Sequence, residues 1–529
     1  MSRTLPRCAL ALTGVALLNT LSLSLQAEPQ SRTGLSEATV PSAAENRALS
    51  GMVYASAEEV AVALAERRFT SLELVSYLIS RAVDLDSFGP ALNAVIEFNP
   101  DALSIARTLD EERQAGKVRG PLHGIPVLLK DNIHTADQMH TAAGSLAMIE
   151  AMVVEDAFIV QRLREQGAII LGKTNMSEWA NFRGDGLPDG WSGRGGQTRN
   201  PHALDGDVCG SSSGSAVAVA AGYAPLSLGT DTFGSVLCPA SRNGVVGMRP
   251  TVGLLSRNGI IPASHELDTA GPITRTVRDS ALLLNVLAVL DPQDLATAQV
   301  PVIKDYTQKL KVDALQGKTI GYPSRFKPGS KALDEHPQFS QALDVLRRGG
   351  AELIAVDLKS TDWSENDDVR ISRLFDMTIK RVLPGYLAQR PGSPVVTLQD
   401  LIDYNEKYPD EEGHNQDLLR RANALVFDED EYQRLSDELR DEARRNMDRL
   451  LADHRLDALL SDPHPYAVLE LGTAVFAGYP AVTVPSGMDA DGVPTAVSFF
   501  GPRWSDAELL AIAYGYEQGS SALQSPDFR

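Results

Sequence analysis

The chain is 529 residues long and 43% hydrophobic, with 49 Lys and Arg against 69 Asp and Glu, a formal net charge of −20. That length and apolar content can bury a large core without requiring several domains. The acidic balance argues against nucleic acid or an anionic membrane surface as partner.

Residues 1–27 read as a secretory signal: Arg3 and Arg7 precede an apolar run, Cys8 to Leu25, that ends at Leu25-Gln26-Ala27 before polar Glu28-Pro29-Gln30. Gly14, Asn19, Thr20 and several serines interrupt the run, which favours cleavage over anchoring, with no stable membrane insertion afterwards. The mature protein is then expected in the periplasm or outside the cell, as a monomer or homodimer. Residues 28–50 are polar and aperiodic and are expected to be a poorly ordered leader. Of the three cysteines, only Cys209 and Cys238 would remain. They could pair in an oxidising compartment, but the favoured expectation is two reduced, small packing residues.

Ordered structure is expected from Ser56-Ala57-Glu58-Glu59, a capping box that opens a helix, and Thr70-Ser71-Leu72-Glu73 repeats the pattern ahead of Leu74, Leu78 and Val83. Leu103, Ala106 and Leu109 share one face of a third helix over 101–115, closed by Gly116. The run Ile125–Leu129 ends in Lys130. Two readings stand side by side: a buried lysine whose desolvation frees a neutral amine as a base, or a strand-end lysine paired with Asp131. Ala168–Lys173 has the length of a parallel strand covered on both faces.

The stretch Cys209-Gly210-Ser211-Ser212-Ser213-Gly214-Ser215 runs directly into Ala216–Gly222, a small apolar helix with a glycine stop. A linker would not be joined to a buried helix. Gly/Ser backbone at a helix start offers free N–H groups for an oxyanion and hydroxyls that relay a proton, the outline of a serine acyl-transfer site. One helix later stands Gly229-Thr230-Asp231-Thr232-Phe233-Gly234-Ser235. Gly210–Gly214 also fits a G-x-S-x-G nucleophile elbow with Ser212 as nucleophile, but Asp205–Val208 reads as loop rather than as the strand that motif needs. Ser324–Lys327 matches S-x-x-K without its companion motifs, and His134 and His140 lack metal-ligand spacing.

Lys130 after an apolar strand, the loop at Ser211 and the loop at Ser235 resemble the hallmarks of the amidase signature family over about 115–285, with weaker resemblance continuing to Gly478–Pro485. Gly195–Pro201, Cys209–Ser215 and Val236–Ala240 are similar to the bacterial peptide amidases within it. The resemblance implies one α/β domain over 51–529, a mixed central sheet of about eleven strands covered by helices. It implies a cofactor-free, metal-free amide hydrolase that releases ammonia from the C-terminal amide of a peptide or from an amino-acid amide. Carried over, Ser235 is the nucleophile, Ser211 the bridging serine on a cis peptide, and Lys130 the base. Ala180, Ser211, Thr232, Phe233, Gly234 and Ser235 line the substrate site, and backbone N–H groups of 232–235 hold the oxyanion. Two residues depart from the pattern: Phe233 replaces a glycine, and Leu237 replaces an arginine that could pair with Asp231. The loop at 461–465 differs as well. These departures keep open a catalytically silent binding protein on the same fold. An amidotransferase component feeding ammonia to a partner is the other alternative, against which the export signal speaks.

Beyond this region, Lys318–Tyr322, a helix around Phe339–Leu346 and Glu352–Leu358 form a β-α-β pattern. Residues 360–430 are expected to be a helical cover over the site. A long amphipathic helix from about Tyr432 to Asp453 precedes strands at 456–460, 482–484 and 496–500, and Ala507–Gln518 is a final helix.

Overall fold

The computed structural model describes residues 43–324, 337–357, 365–410, 413–461 and 472–528. The signal at 1–27, the leader up to 42, most of the 461–465 loop and the 325–327 part of the S-x-x-K match lie outside them. Residues 41–529 form one compact unit. Among the described residues no helix is long and apolar enough to cross a membrane.

The strands in chain order are β1 (Val95–Phe98), β2 (Pro126–Lys130), β3 (Ile169–Thr174), β4 (Trp191–Ser192), β5 (Gly196–Gln197), β6 (Leu226–Asp231) and β7 (Val246–Arg249). They continue with β8 (Thr269–Thr274), β9 (Thr319–Pro323), β10 (Glu352–Val356), β11 (Ala458–Leu460), β12 (Ala481–Met488) and β13 (Pro494–Phe500). Eleven of them form one sheet in the order β1-β3-β2-β6-β8-β7-β12-β13-β11-β9-β10, and β4 and β5 form a separate two-stranded ribbon. The sheet is mixed: β3, β2 and β6 run parallel, as do β11, β9 and β10, while β8, β7, β12 and β13 pair antiparallel.

The period-two alternation of strands assigns the two faces. Val127 and Leu129 of β2 pack with Val60, Leu74, Ile159 and Leu284 of the helices on one face. Leu128 packs with Val217 and Ala218 on the other. That second face is covered by the helix Ser213–Ala220, which is buried all round. Both sides of β2 are therefore dry, as its unbroken apolar run demands. Lys130 is two residues beyond Leu128 and so faces the start of the same helix.

Both capping boxes form, with Glu59 and Glu73 returning to the backbone N–H groups of Ser56 and Thr70. The third helix covers Ala102–Gln114, and β9, the helix Pro337–Arg348 and β10 build the β-α-β unit. Among the described residues of 365–430, three helices form, Glu365–Leu387, Leu398–Lys407 and Asp417–Ala424, followed by the long helix Glu429–Asp453.

Two expectations need correction. The polar leader does not extend to 50, since a helix covers Ala43–Met52: Leu49 is fully buried in the main core, and Ala48 and Met52 pack against it. Cys209 and Cys238 are not reduced packing residues but form a disulfide, with Cα atoms 5.9 Å apart. The Ser212 N–H donates to the Ser235 carbonyl at 3.1 Å, which lays the loop at 209 against the helix Leu237–Arg242 and brings the two thiols together.

The disulfide closes a loop spanning 29 positions. Its chain-entropy contribution is about 3–4 kcal/mol. Replacing both cysteines by alanine is expected to lower the free energy of unfolding by that amount, read from the midpoint of a urea melt. An unchanged midpoint would show that the bridge does not constrain the unfolded chain.

Candidate active site

The Lys130 side chain is fully buried at the end of β2. Its Nζ donates to Ser211 Oγ at 2.8 Å, to Thr230 Oγ1 at 3.0 Å and to the Thr230 carbonyl at 3.3 Å. Asn132 Nδ2 donates to the same Thr230 hydroxyl at 2.9 Å. Burial pulls the lysine down to about 7, against an opposing pull from the Asp231 and Asp268 carboxylates. The strand-end alternative fails: Asp131 binds Arg194 and the Gly144 N–H instead. A second buried lysine, Lys173, serves as a contrast. Its Nζ binds Thr141 Oγ1 and the Ile133 carbonyl and contacts neither serine.

The Gly210–Ser211 peptide is cis. The Ser211 carbonyl accepts the Ser177 N–H at 3.1 Å, and Thr174 and Ser215 share a hydroxyl–hydroxyl bond, so the loop is docked on the end of β3. Close approach of the strand is allowed by Gly229, where a Cβ would lie 2.6 Å from Ser212 Oγ. Ser212 is no nucleophile here: its hydroxyl donates to the Thr230 carbonyl and accepts the Thr230 N–H.

The turn carrying Ser235 hangs on Asp231. One carboxylate oxygen accepts the Gly234 N–H at 2.8 Å and the other the Val236 N–H at 2.7 Å. The same carboxylate pairs with the wholly buried Arg249 of β7 at 2.5 Å, and Arg249 also donates to the carbonyls of Asp231 and Leu267. Arg249 is thus the partner that an arginine at position 237 would have supplied, while Leu237 is buried in an apolar cluster with both cysteines.

Of the expected oxyanion donors, Gly234 is removed by its bond to Asp231. The N–H groups of Thr232, Phe233 and Ser235 make no hydrogen bond with a described residue. Gly234 has φ 88°, whereas Phe233 lies outside the left-handed region, so a side chain at 233 costs the backbone nothing. The Phe233 ring is half-buried and meets Phe375 and Phe476 edge-on, with centroids 5.9 and 5.4 Å away. Phe182 extends the group through Phe375.

The structure brings Lys130, Ser211 and the Ser235 turn together. The Ser235 hydroxyl itself makes no hydrogen bond with a described residue, on a residue that is 9% exposed. Ala180, at φ 56° between left-handed Trp179 and Asn181, lines a narrow gap with Asn132, Met176 and Pro262. Sequence reasoning missed Thr230, Asn132, Arg249 and Asp268, the last of which accepts the Thr232 hydroxyl at 2.6 Å. Arg249 sits in Gly247-Met248-Arg249-Pro250, where a charged residue after an apolar strand is the same signal that marked Lys130. Among the described residues no cluster has the composition of a metal site.

Replacing Arg249 by methionine leaves Asp231 buried and unpaired, a change that typically costs about 3–5 kcal/mol. The expected result is a large loss of stability in a urea melt, partly restored by adding Asp231→Asn, with the turn geometry and hence turnover still impaired in the double variant. Full turnover in the Arg249→Met enzyme would contradict the role given to this pair.

A model of the Amidase family matches residues 73–510. The chain is 39% identical over 491 residues to a probable amidase of Arabidopsis thaliana, covering 90% of this chain and 91% of the relative. It is 32% identical to a glutamyl-tRNA(Gln) amidotransferase component of Halorhodospira halophila, covering 87% and 96%. The crystal structure of the native peptide amidase of Stenotrophomonas maltophilia superimposes with a TM-score of 0.83 at 41% identity, covering 90% of this chain and 99% of that one. The eleven-stranded sheet, the lysine and serine loops and these matches over most of its length agree: the chain belongs to the amidase family and is a hydrolase of amide C–N bonds.

Proposed function

We propose that the protein is an exported serine amidase that releases ammonia from the C-terminal carboxamide of a peptide or from an amino-acid amide. The observation that carries the chemistry is the bond from Lys130 Nζ to Ser211 Oγ in a site where burial brings the amine near neutrality. In this reading neutral Lys130 accepts the Ser211 proton while Ser211 accepts that of Ser235, and Ser235 Oγ attacks the carboxamide carbon. The free N–H groups beside Ser235 take up the oxyanion. As the C–N bond breaks, the proton returns through Ser211 to nitrogen, ammonia leaves and an acyl ester remains on Ser235. Water activated by the same relay then releases the acid. The residues need no metal or organic cofactor for these steps.

Terminal carboxamides are favoured over a tRNA-linked partner reaction because the likeness to the peptide amidase, at 41% identity, exceeds that to the amidotransferase component, at 32%. Phe233, Phe375 and Phe476 supply an apolar wall for the residue next to the amide. A Cys209–Cys238 bridge suits an oxidising compartment, which supports export and the reading of 1–27 as its signal.

The sign of the pH dependence follows from the base. Below about 7 the lysine holds its proton and cannot start the relay, so kcat/KM should rise tenfold per pH unit up to about 7 and level off above. Ser235→Ala should abolish ammonia release from a panel of aminoacyl and dipeptide amides, and Lys130→Ala should flatten the profile and cost about 10²–10⁴-fold. Retained turnover in Ser235→Ala, or a wild-type profile falling from acid to neutral pH, would sink the mechanism. Short aliphatic amides turned over best would refute the substrate assignment.

A further inference from the structure

A cavity of about 660 Å³ lies beside the serine site, between the segment 257–268 and the C-terminal part of the helix Glu365–Leu387. It touches that site at two places. Asp268 on its wall accepts the Thr232 hydroxyl, three residues before Ser235. Pro262 lines both this cavity and the narrow gap that holds Ala180 and Asn132. Asn132 in turn shares the Thr230 hydroxyl with Lys130.

Most charges on the wall are already matched. Arg257 binds Asp294 through two nitrogens, and Arg381 binds Glu429. Asp156 accepts from Arg164 and the Ala136 N–H. Asp268 accepts the Thr232 hydroxyl and the N–H groups of Ala263 and Ser264. His134 bonds the Tyr386 hydroxyl at 2.9 Å and is held far down, to about 3, chiefly by burial, so it carries no charge near neutral pH.

Arg390 is different. It is half-buried, and its guanidinium stacks 4.5 Å from the centre of the Tyr386 ring, with neither a hydrogen-bond nor an ion-pair partner among the described residues. Its Nε is buried without an acceptor. A guanidinium packed against an aromatic ring and without a partner keeps N–H donors free for a carboxylate. Glu155 also lacks a partner among the described residues, but it is exposed at the rim, where water and salt screen its repulsion of an anion.

We propose that this cavity is a subsite for the acyl portion of the peptide amide and that Arg390 selects there a substrate carrying a carboxylate side chain upstream of the terminal amide. The inference rests on the amidase reading for its substrate, and it makes Arg390 a specificity residue rather than a catalytic one. Hydrolysis and binding are both needed to test it, using acetyl-Glu-Phe-amide, acetyl-Gln-Phe-amide and Phe-amide. Wild type should prefer the Glu peptide over its isosteric Gln counterpart by about tenfold in kcat/KM, the size expected for one charge-assisted hydrogen-bonded contact. Arg390→Met should bring the ratio to about one, and Arg390→Lys should retain part of it. A role confined to holding the helix end would change all three substrates alike and leave the ratio intact, which would overturn the proposal. Calorimetry on Ser235→Ala with the two peptides reads the same discrimination without turnover. A Glu preference in binding supports the subsite even if hydrolysis of Phe-amide is absent and the amidase reading fails. Equal binding of the two peptides overturns the subsite even if Phe-amide is hydrolysed.

Discussion

The burial of Lys130 is the constraint on which the rest of the site depends. Lowering an amine from 10.5 to about 7 corresponds to about 5 kcal/mol of disfavour for its charged form. Such a group persists only where rigid surroundings exclude water and supply hydrogen-bond acceptors. β2 is covered on both faces, so its backbone cannot turn the side chain to solvent. The Ser211 and Thr230 hydroxyls are acceptors that do not restore a full counter-charge, so the amine remains able to lose its proton. A carboxylate in the same place would have made a stable ion pair and no base.

Local patterns carry most of the architecture. Both capping boxes, the apolar runs of β2 and β3, and the glycine-stopped helix after the Gly/Ser loop are encoded within a few neighbouring residues, and each appears as read. The three motifs at Lys130, Ser211 and Ser235 are legible for the same reason. Their convergence follows from resemblance, because nothing in the spacing alone sets β2 beside β6.

What the sequence hides are partners brought together across the fold. The two cysteines look like ordinary packing residues until the Ser212–Ser235 backbone bond sets their loops side by side. Leu237 looks like a lost ion pair because its replacement, Arg249, reaches Asp231 from β7 across the sheet. Phe233 looks disruptive because composition does not reveal which of two adjacent positions needs positive φ; Gly234 does and Phe233 does not. The aromatic group around Phe233 joins Phe375 and Phe476, residues from two distant helices. Leu49 sits in a polar context that reads as disorder, yet with Ala48 and Met52 beside it the helix docks on the main core.

Arg249 links the two halves of the site. The Asp231 carboxylate accepts the Gly234 and Val236 N–H groups and thereby fixes the Ser235 turn. An unpaired carboxylate so near Lys130 would stabilise the ammonium form, and Asp231 is the larger of the two carboxylate effects that work against the low value of the lysine. The Arg249 guanidinium offsets the charge of Asp231, while the amine's own bonds go to Ser211 and Thr230. Asp268, the other opposing carboxylate, is held instead by neutral donors, one hydroxyl and two backbone N–H groups. The turn therefore keeps Asp231 as its organiser while burial holds the base down to about 7, and a lysine can serve where a histidine would be the common choice.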